Sequence, residues 1–336
     1  MNTSTYRAAV VRIPAGPDSI EIVDLPLREP GAGEIRVDLA AAAVDPVDLA
    51  VADGIFHRMG LIHQPEHTGL GWEFAGTIDA VGPGTNLGIG TRVAGLTAGF
   101  DRDVGAYAER LIVPAADVAV VPDGLDPIAA ASVPLNGLAA AMMVDLLGDP
   151  SRGADRLLVT GAAGVLGGYL TVLARDRGWR VTGLARARDE EFVRGLGADF
   201  TADAAPGWDA VADAAALQER GLALVRDGGI FVGVRPNAGH VAERGIAVTA
   251  VDVRPDGPRT GELLARGIGR VARAGARDRA AREGVRGTPG DGEGRRARPL
   301  RPHPVSRSAQ NHRNPVARLR RRCFDRCHER PHTPDP

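Results

Sequence analysis

The stretch from Leu157 to Gly168 constrains this chain more than any other. A strand expected over Arg156–Thr160, apolar from Leu157 on, leads into Gly161, Gly164 and Gly167, with Ala162, Ala163, Val165 and Leu166 between them. Such a stretch reads as a strand that turns sharply into a helix. Gly161 permits the tight turn, Gly164 leaves the backbone bare for a close approach, and Gly167 lets the helix lie against the strand. The free N–H groups at the start of that helix, with the positive end of its dipole, suit a pyrophosphate. A second short apolar segment, Arg180 to Leu184, follows about 20 residues on, as a strand–helix–strand unit requires.

The alternation continues on both sides. Asp126-Pro127 predicts a helix start, with an N-cap followed by proline at the first helical position, and Ile128 to Leu147 predicts the helix itself. A further helix is expected around Asp189 to Gly195. Strands are expected at Ala210–Asp213, Gly229–Val234 and Ile246–Val253. Strands and helices in alternation imply an α/β unit with a parallel, doubly wound sheet. Gly233 and Val234, at the end of one of these strands, join the candidate cofactor site.

The first 120 residues have another texture. Arg7–Ile13, Ser19–Leu25, Glu34–Ala43, Trp72–Val81, Arg92–Ala94, Ala106–Val113 and Val118–Val121 are short Val- and Ile-rich runs separated by Gly and Pro clusters. They predict a barrel-like β domain.

Charge divides the chain again. Its net charge is -1, yet residues 1–269 hold 23 Arg against 35 Asp and Glu, while residues 270–336 hold 18 Arg against 7. There is no lysine, and the last 67 residues contain only seven Val, Leu, Ile or Phe. An acidic globular body with a basic, core-poor tail is expected. The near-zero overall charge gives no general attraction to nucleic acid or membrane. Cys323 and Cys327 are the two cysteines, too few for a disulfide framework or a four-cysteine zinc site. No long apolar run and no basic-then-apolar leader is seen, so a cytoplasmic location is expected.

Cofactor preference is read at the end of the second strand. An acid there would bind a ribose 2'-hydroxyl. The sequence instead places Arg186 and Arg188 there, and guanidinium groups suit a 2'-phosphate. NADPH is therefore expected over NADH.

With these residues in view, the chain resembles the medium-chain dehydrogenase/reductase superfamily, and within it the zinc-independent quinone oxidoreductase group. The matching stretches include Ala43-Val-Asp-Pro-Val-Asp48, Gly71-Trp-Glu-Phe-Ala-Gly76, Gly105-Ala-Tyr-Ala-Glu109, the glycine loop and Leu196-Gly-Ala-Asp199. The resemblance covers residues 7 to 266. It implies a GroES-like catalytic β-barrel domain over 1–122, a Rossmann NADPH-binding domain over 123–267, and a substrate cleft between them. It also implies hydride transfer to a small-molecule acceptor, a quinone or an α,β-unsaturated carbonyl compound. A dedicated enoyl reductase of polyketide metabolism and a non-catalytic NADPH-binding protein are the alternatives. A homodimer is implied through Ile246–Val253 as an edge strand.

Zinc-dependent members of that superfamily place cysteine where Asp45 stands and histidine where Trp72 stands, so no metal is expected. His57, His63 and His67 are read as solvated loop histidines. Asp45 is expected to accept from the nicotinamide amide, Asn136 either to donate to an acceptor carbonyl or to serve as a helix cap, and Trp72 either to wall an apolar slot with Phe56 or to serve as plain core packing. Glu73 is read as structural. Ala50 and Ala139 stand where relatives carry a tyrosine and a threonine, which leaves solvent as the expected proton source.

The resemblance stops near Gly267. Residues 268–336 have the composition of GC-rich DNA read out of frame, and a frameshifted, disordered tail is expected, with Cys323 and Cys327 serving neither metal nor redox chemistry. Genomic sequencing across codon 267 and the intact mass of the native protein test this.

Overall fold

The computed structural model describes residues 4–97, 99–235, 244–269 and 271. The tail beyond 271, with both cysteines and the expected disorder, lies outside the described residues.

The N-terminal part contains strands β1 (Thr5–Val11), β2 (Ile20–Pro26), β3 (Glu34–Ala42), β4 (Thr68–Gly69), β5 (Glu73–Val81), β6 (Arg92–Leu96), β7 (Arg110–Pro114) and β8 (Val118–Val120). Helices α1 (Pro46–Ala52) and α2 (Ile55–Arg58) lie between β3 and β4. The strands form an antiparallel three-stranded sheet, β2-β1-β4, and an antiparallel five-stranded sheet, β7-β3-β5-β6-β8. Alternating Ile35, Val37 and Leu39 of β3 meet Phe74, Ile78 and Val93 in a dry core. Each of the seven expected runs overlaps a strand; β4 and helices α1 and α2 were not anticipated.

The expected helix over 128–147 is two helices, α3 (Pro127–Ala130) and α4 (Pro134–Leu147). Pro134 is the reason. It has no N–H to donate to the preceding turn, so the chain breaks and proline takes the opening of a new helix. Asp126 caps α3 as expected, its carboxylate accepting the Ile128 N–H at 2.8 Å.

The second part alternates strands and helices: β9 (Arg156–Thr160), α5 (Val165–Asp176), β10 (Arg180–Leu184), α6 (Glu190–Gly195), β11 (Asp199–Thr201), β12 (Trp208–Asp213), α7 (Glu219–Leu222), β13 (Val225–Gly233), β14 (Ala247–Ala250) and α8 (Gly257–Ala265). All six strands are parallel, in the order β11-β10-β9-β12-β13-β14. The chain steps from β9 to one side and returns on the other at β12. A crevice therefore opens at the carboxyl ends of β9 and β12, the place where such sheets bind ligands. Among the described residues, strand β14 pairs with β13 alone and forms the sheet edge.

The two parts share one core. Trp72, Leu96 and Ala119 pack in the same cluster as Leu138, Met143, Tyr169, Val232 and Leu263. Helix α8 was not anticipated; its residues fall within the expected cofactor domain, yet it also sits against β8. A Cβ on Gly257 would lie 2.4 Å from the Ala116 carbonyl oxygen. No helix among the described residues is long and apolar enough to cross a membrane.

Candidate active site

The glycine loop sits at the crevice. Gly161 follows β9 with φ +62°, a conformation side chains rarely adopt. A Cβ on Gly167 would lie 2.2 Å from the Gly161 carbonyl oxygen and 2.8 Å from Ala162 Cα, so α5 rests on the loop backbone itself. Gly164, the N-cap of α5, has no side-chain cap and would meet only the Gly161 oxygen, at 3.2 Å. It leaves its face open. On the next strand, Gly183 makes room for Ala162, whose Cβ would otherwise be 2.6 Å away. These are the three roles expected of the glycines, and the cradle fits a dinucleotide pyrophosphate. Ala163, Val165 and Leu166 complete the turn.

Across the crevice, Thr160 donates its hydroxyl to Asp213 at 2.6 Å, both fully buried at the ends of β9 and β12. Asp213 also accepts the N–H groups of Leu217 and Gln218, which holds the loop after β12 in place. Sequence reasoning missed this pair. Arg186 and Arg188 lie just past β10, exposed and without an ion pair among the described residues. Gly233 ends β13, where its carbonyl accepts from Val251, and Val234 follows it.

A second cluster lies where the two parts meet. Asp45 caps α1 in a reciprocal box with Asp48, which accepts the Asp45 N–H at 2.9 Å. Asp48 also accepts from Tyr107 Oη at 2.7 Å and from the Gly71 N–H at 3.1 Å. Burial, then the charge of Asp45, pushes the Asp48 carboxyl up to about 7. Arg102 lies over the Trp72 ring at 4.7 Å and donates to the carbonyls of Gly71, Thr97 and Gly99. Burial lowers its guanidinium to about 10.

Glu73, at the start of β5, is wholly buried. Its carboxylate accepts the Leu135 N–H at 2.6 Å and the Asn136 N–H at 3.4 Å. Val133, the residue before α4, supplies no side-chain cap, so Glu73 caps this helix from the other part of the molecule. Asn136 then bridges two acids. Its side-chain nitrogen donates to Glu73 Oε1 at 2.7 Å and to Asp45 Oδ1 at 2.9 Å. Burial first, and Asp45 second, hold Glu73 well above the ordinary carboxylate range. Tyr169, in the second turn of α5, feels both acids and bonds Ser132 at 2.7 Å.

The structure thus brings Asp45 and Asn136 together with Glu73, and places the glycine loop at the start of the helix that carries Tyr169. Asn136 does not offer its NH2 to an acceptor, because both hydrogens are taken. Trp72 is 7% exposed and stacks edge-on against Phe100 at 5.1 Å, and Phe100 meets Phe56 at 4.1 Å. The indole N–H of Trp72 has no partner among the described residues. The three histidines do not converge. His57 meets Thr68 at 3.2 Å, His63 meets Asp101 at 3.1 Å, and the ring nitrogens of His67 are buried without partners among the described residues. His63 is exposed, and His57 and His67 are half-buried.

Asp48 belonged to a quoted motif, and the Asp45-x-x-Asp48 spacing is a legible cap signal. Tyr107 likewise belonged to the quoted Gly105–Glu109 stretch, whereas Arg102, Phe100 and Tyr169 had no local signal. Among the described residues no group of three or more His, Cys, Asp or Glu is arranged to hold a metal. Trp72 offers no ligand, and Asp45 Oδ1 and both oxygens of Glu73 accept hydrogen bonds from Leu135 and Asn136. Extended chelation should leave turnover intact, with less than one zinc per chain by elemental analysis; stoichiometric zinc with chelator-sensitive turnover contradicts this. A concavity of about 380 Å³ lined by Tyr6, Arg28, His67 and Asp103 shares no residue with either cluster.

Comparison with known proteins agrees with this geometry. The alcohol dehydrogenase GroES-like domain matches residues 31–123. The pikromycin polyketide synthase component PikAII of Streptomyces venezuelae is 32% identical over 70% of this chain, which spans 7% of that protein. The 2-haloacrylate reductase of a Burkholderia species is 30% identical over 58% of this chain and 57% of its own length. The chain therefore spans less than two thirds of either relative. The quinone oxidoreductase structure from Coxiella burnetii superposes with a TM-score of 0.69 at 22% identity, over 84% of this chain and 97% of that one. The glycine cradle, the antiparallel domain and these likenesses agree: residues 31–123 belong to the alcohol dehydrogenase GroES-like domain family, and the chain as a whole is similar in sequence to 2-haloacrylate reductase and in fold to a quinone oxidoreductase.

Proposed function

We propose that this chain is an NADPH-dependent reductase that passes hydride to a quinone or to a C=C bond conjugated to a carbonyl, without metal. The observation that carries the reading is the cradle at the crevice, where Gly167 cannot take a Cβ and Gly164 leaves an open face. Gly161 to Gly167 and the first turn of α5 would hold the pyrophosphate, and Arg186 and Arg188 the 2'-phosphate. The nicotinamide, when bound, supplies the hydride. The chain supplies placement and a dry wall, through Trp72, Phe100 and Phe56. Asn136 has no hydrogen left for the acceptor oxygen, so that oxygen draws on backbone N–H groups and on solvent for its proton.

The similarity to 2-haloacrylate reductase, named for a substrate whose C=C bond is conjugated to a carboxylate, favours the conjugated alkene over the quinone. The similarity to a polyketide synthase component supports the second reading, an enoyl reductase acting on a thioester. An absorbance screen of NADPH oxidation across quinones, enones and enoyl thioesters separates them. No consumption with any acceptor, despite NADPH binding, would instead favour a binding protein without turnover.

Cofactor choice has its own test. Each arginine contact to a 2'-phosphate is worth ~1.5–3 kcal/mol when well formed. Arg186→Glu is expected to weaken NADPH at least tenfold more than NADH. Equal binding of the two cofactors, before and after the change, rejects the assignment.

A further inference from the structure

The orientation of the Asn136 amide is set by its two acidic neighbours. Its nitrogen lies within hydrogen-bond distance of Asp45 Oδ1 and Glu73 Oε1 at once. An amide oxygen in that place would face two carboxyl oxygens and would need a proton on each of them. An amide NH2 satisfies both with no proton at all, and it has two hydrogens to give. The like charges of the two buried acids make such a shared donor more valuable still. The Leu135 and Asn136 backbone N–H groups fix Glu73 from the other side, so the acid cannot swing away.

With its nitrogen turned inward, Asn136 keeps Oδ1 for the opposite direction. That oxygen accepts no hydrogen bond among the described residues, and it is not one of the sealed side-chain atoms left without a partner. Asn136 is half-buried, in the first turn of α4, and α4 packs against β13 and α5 of the cofactor-binding part. Sequence reasoning had Asp45 accept from the nicotinamide amide and Asn136 either donate to an acceptor carbonyl or cap a helix. The two are instead bonded to each other, and the polar atom left facing outward is an acceptor.

We propose that Asp45 and Glu73 are positioning residues that lock Asn136 with its carbonyl oxygen outward, and that this oxygen accepts an N–H from the carboxamide of the bound nicotinamide. The assignment rests on the reading that a nicotinamide dinucleotide binds at the glycine loop. A carboxamide is the one part of a nicotinamide ring that offers N–H donors, and a neutral acceptor fits it without adding a third charge beside two acids. The contact restricts rotation of the ring, so it bears on specificity rather than on the chemical step.

The test measures binding, not turnover. The full chain is titrated with NADPH or NADH, whichever binds more tightly, and with the 3-acetylpyridine analogue of that dinucleotide, in which a methyl ketone replaces the carboxamide. The wild type is expected to bind the analogue about tenfold more weakly, the worth of one lost hydrogen bond. Asn136→Ala is expected to bind the two alike. A second measurement does not depend on the variant folding. In the unliganded wild type, the two side-chain amide hydrogens of Asn136 are expected to be protected from exchange and shifted by their acidic partners, and to stay so when dinucleotide is added. Equal binding of dinucleotide and analogue by the wild type overturns the proposal, as do rapidly exchanging Asn136 amide hydrogens. If no dinucleotide binds at all, the cofactor reading itself fails and takes this one with it.

Discussion

Gly167→Ala is expected to abolish measurable dinucleotide binding and to lower the melting temperature. The added methyl carbon would lie 2.2 Å from the Gly161 carbonyl oxygen, a backbone atom that moves only if the loop or α5 moves. Overpacking of that kind costs about 1–3 kcal/mol, and here the strained element is the phosphate cradle itself. Gly164→Ala makes the contrast. Its Cβ would meet one atom, at 3.2 Å, so stability should stay near wild type. Binding should still fall, because the methyl group stands on the face left open for the pyrophosphate. Thermal unfolding paired with a binding titration separates the two effects. Wild-type affinity in both variants would show that the dinucleotide lies elsewhere.

The second large effect is on stability against pH. Burial and Asp45 raise the Asp48 carboxyl from 3.8 in the open chain to about 7 in the fold, and Glu73 is displaced in the same direction. A raised acid favours the folded state while it is protonated. That contribution is complete below the unfolded value and is lost as pH rises through about 7. For Asp48 alone the displacement is worth on the order of 4 kcal/mol. The melting temperature is therefore expected to fall from about pH 4 to pH 7, whereas most proteins are most stable between about pH 5 and pH 8. In Asp48→Asn the stability should be lower throughout, because the amide nitrogen would face the donors from Gly71, Asp45 or Tyr107, but the slope over that range should flatten. A slope unchanged by the substitution would assign the pH dependence to other groups.

Much of the fold was legible because its signals are local. The glycine loop, the strand Arg156–Thr160 and the strand Arg180–Leu184 occur where expected, to the residue, since a sharp turn between strand and helix demands glycine within a few positions. The Asp126-Pro127 start of α3 and the short β runs before it belong to the same class. The break at Pro134 was also written in the chain, and the continuous Ala- and Leu-rich texture hid it.

The pairing of the site was not legible, and the physical reason is distance along the chain. Asp45, Glu73 and Asn136 sit on an N-cap, a strand and a helix start, and only the docking of α4 against β5 brings an amide between two acids. The sequence alone determined that these residues are polar and near a cofactor motif. Whether Asn136 donates or accepts was decided by the tertiary structure, because an amide has both ends available until a neighbour takes one. The same holds for Glu73: its identity marks a family position, but its work as the cap of α4 exists only where a helix lacking its own cap lies within reach of a buried carboxylate.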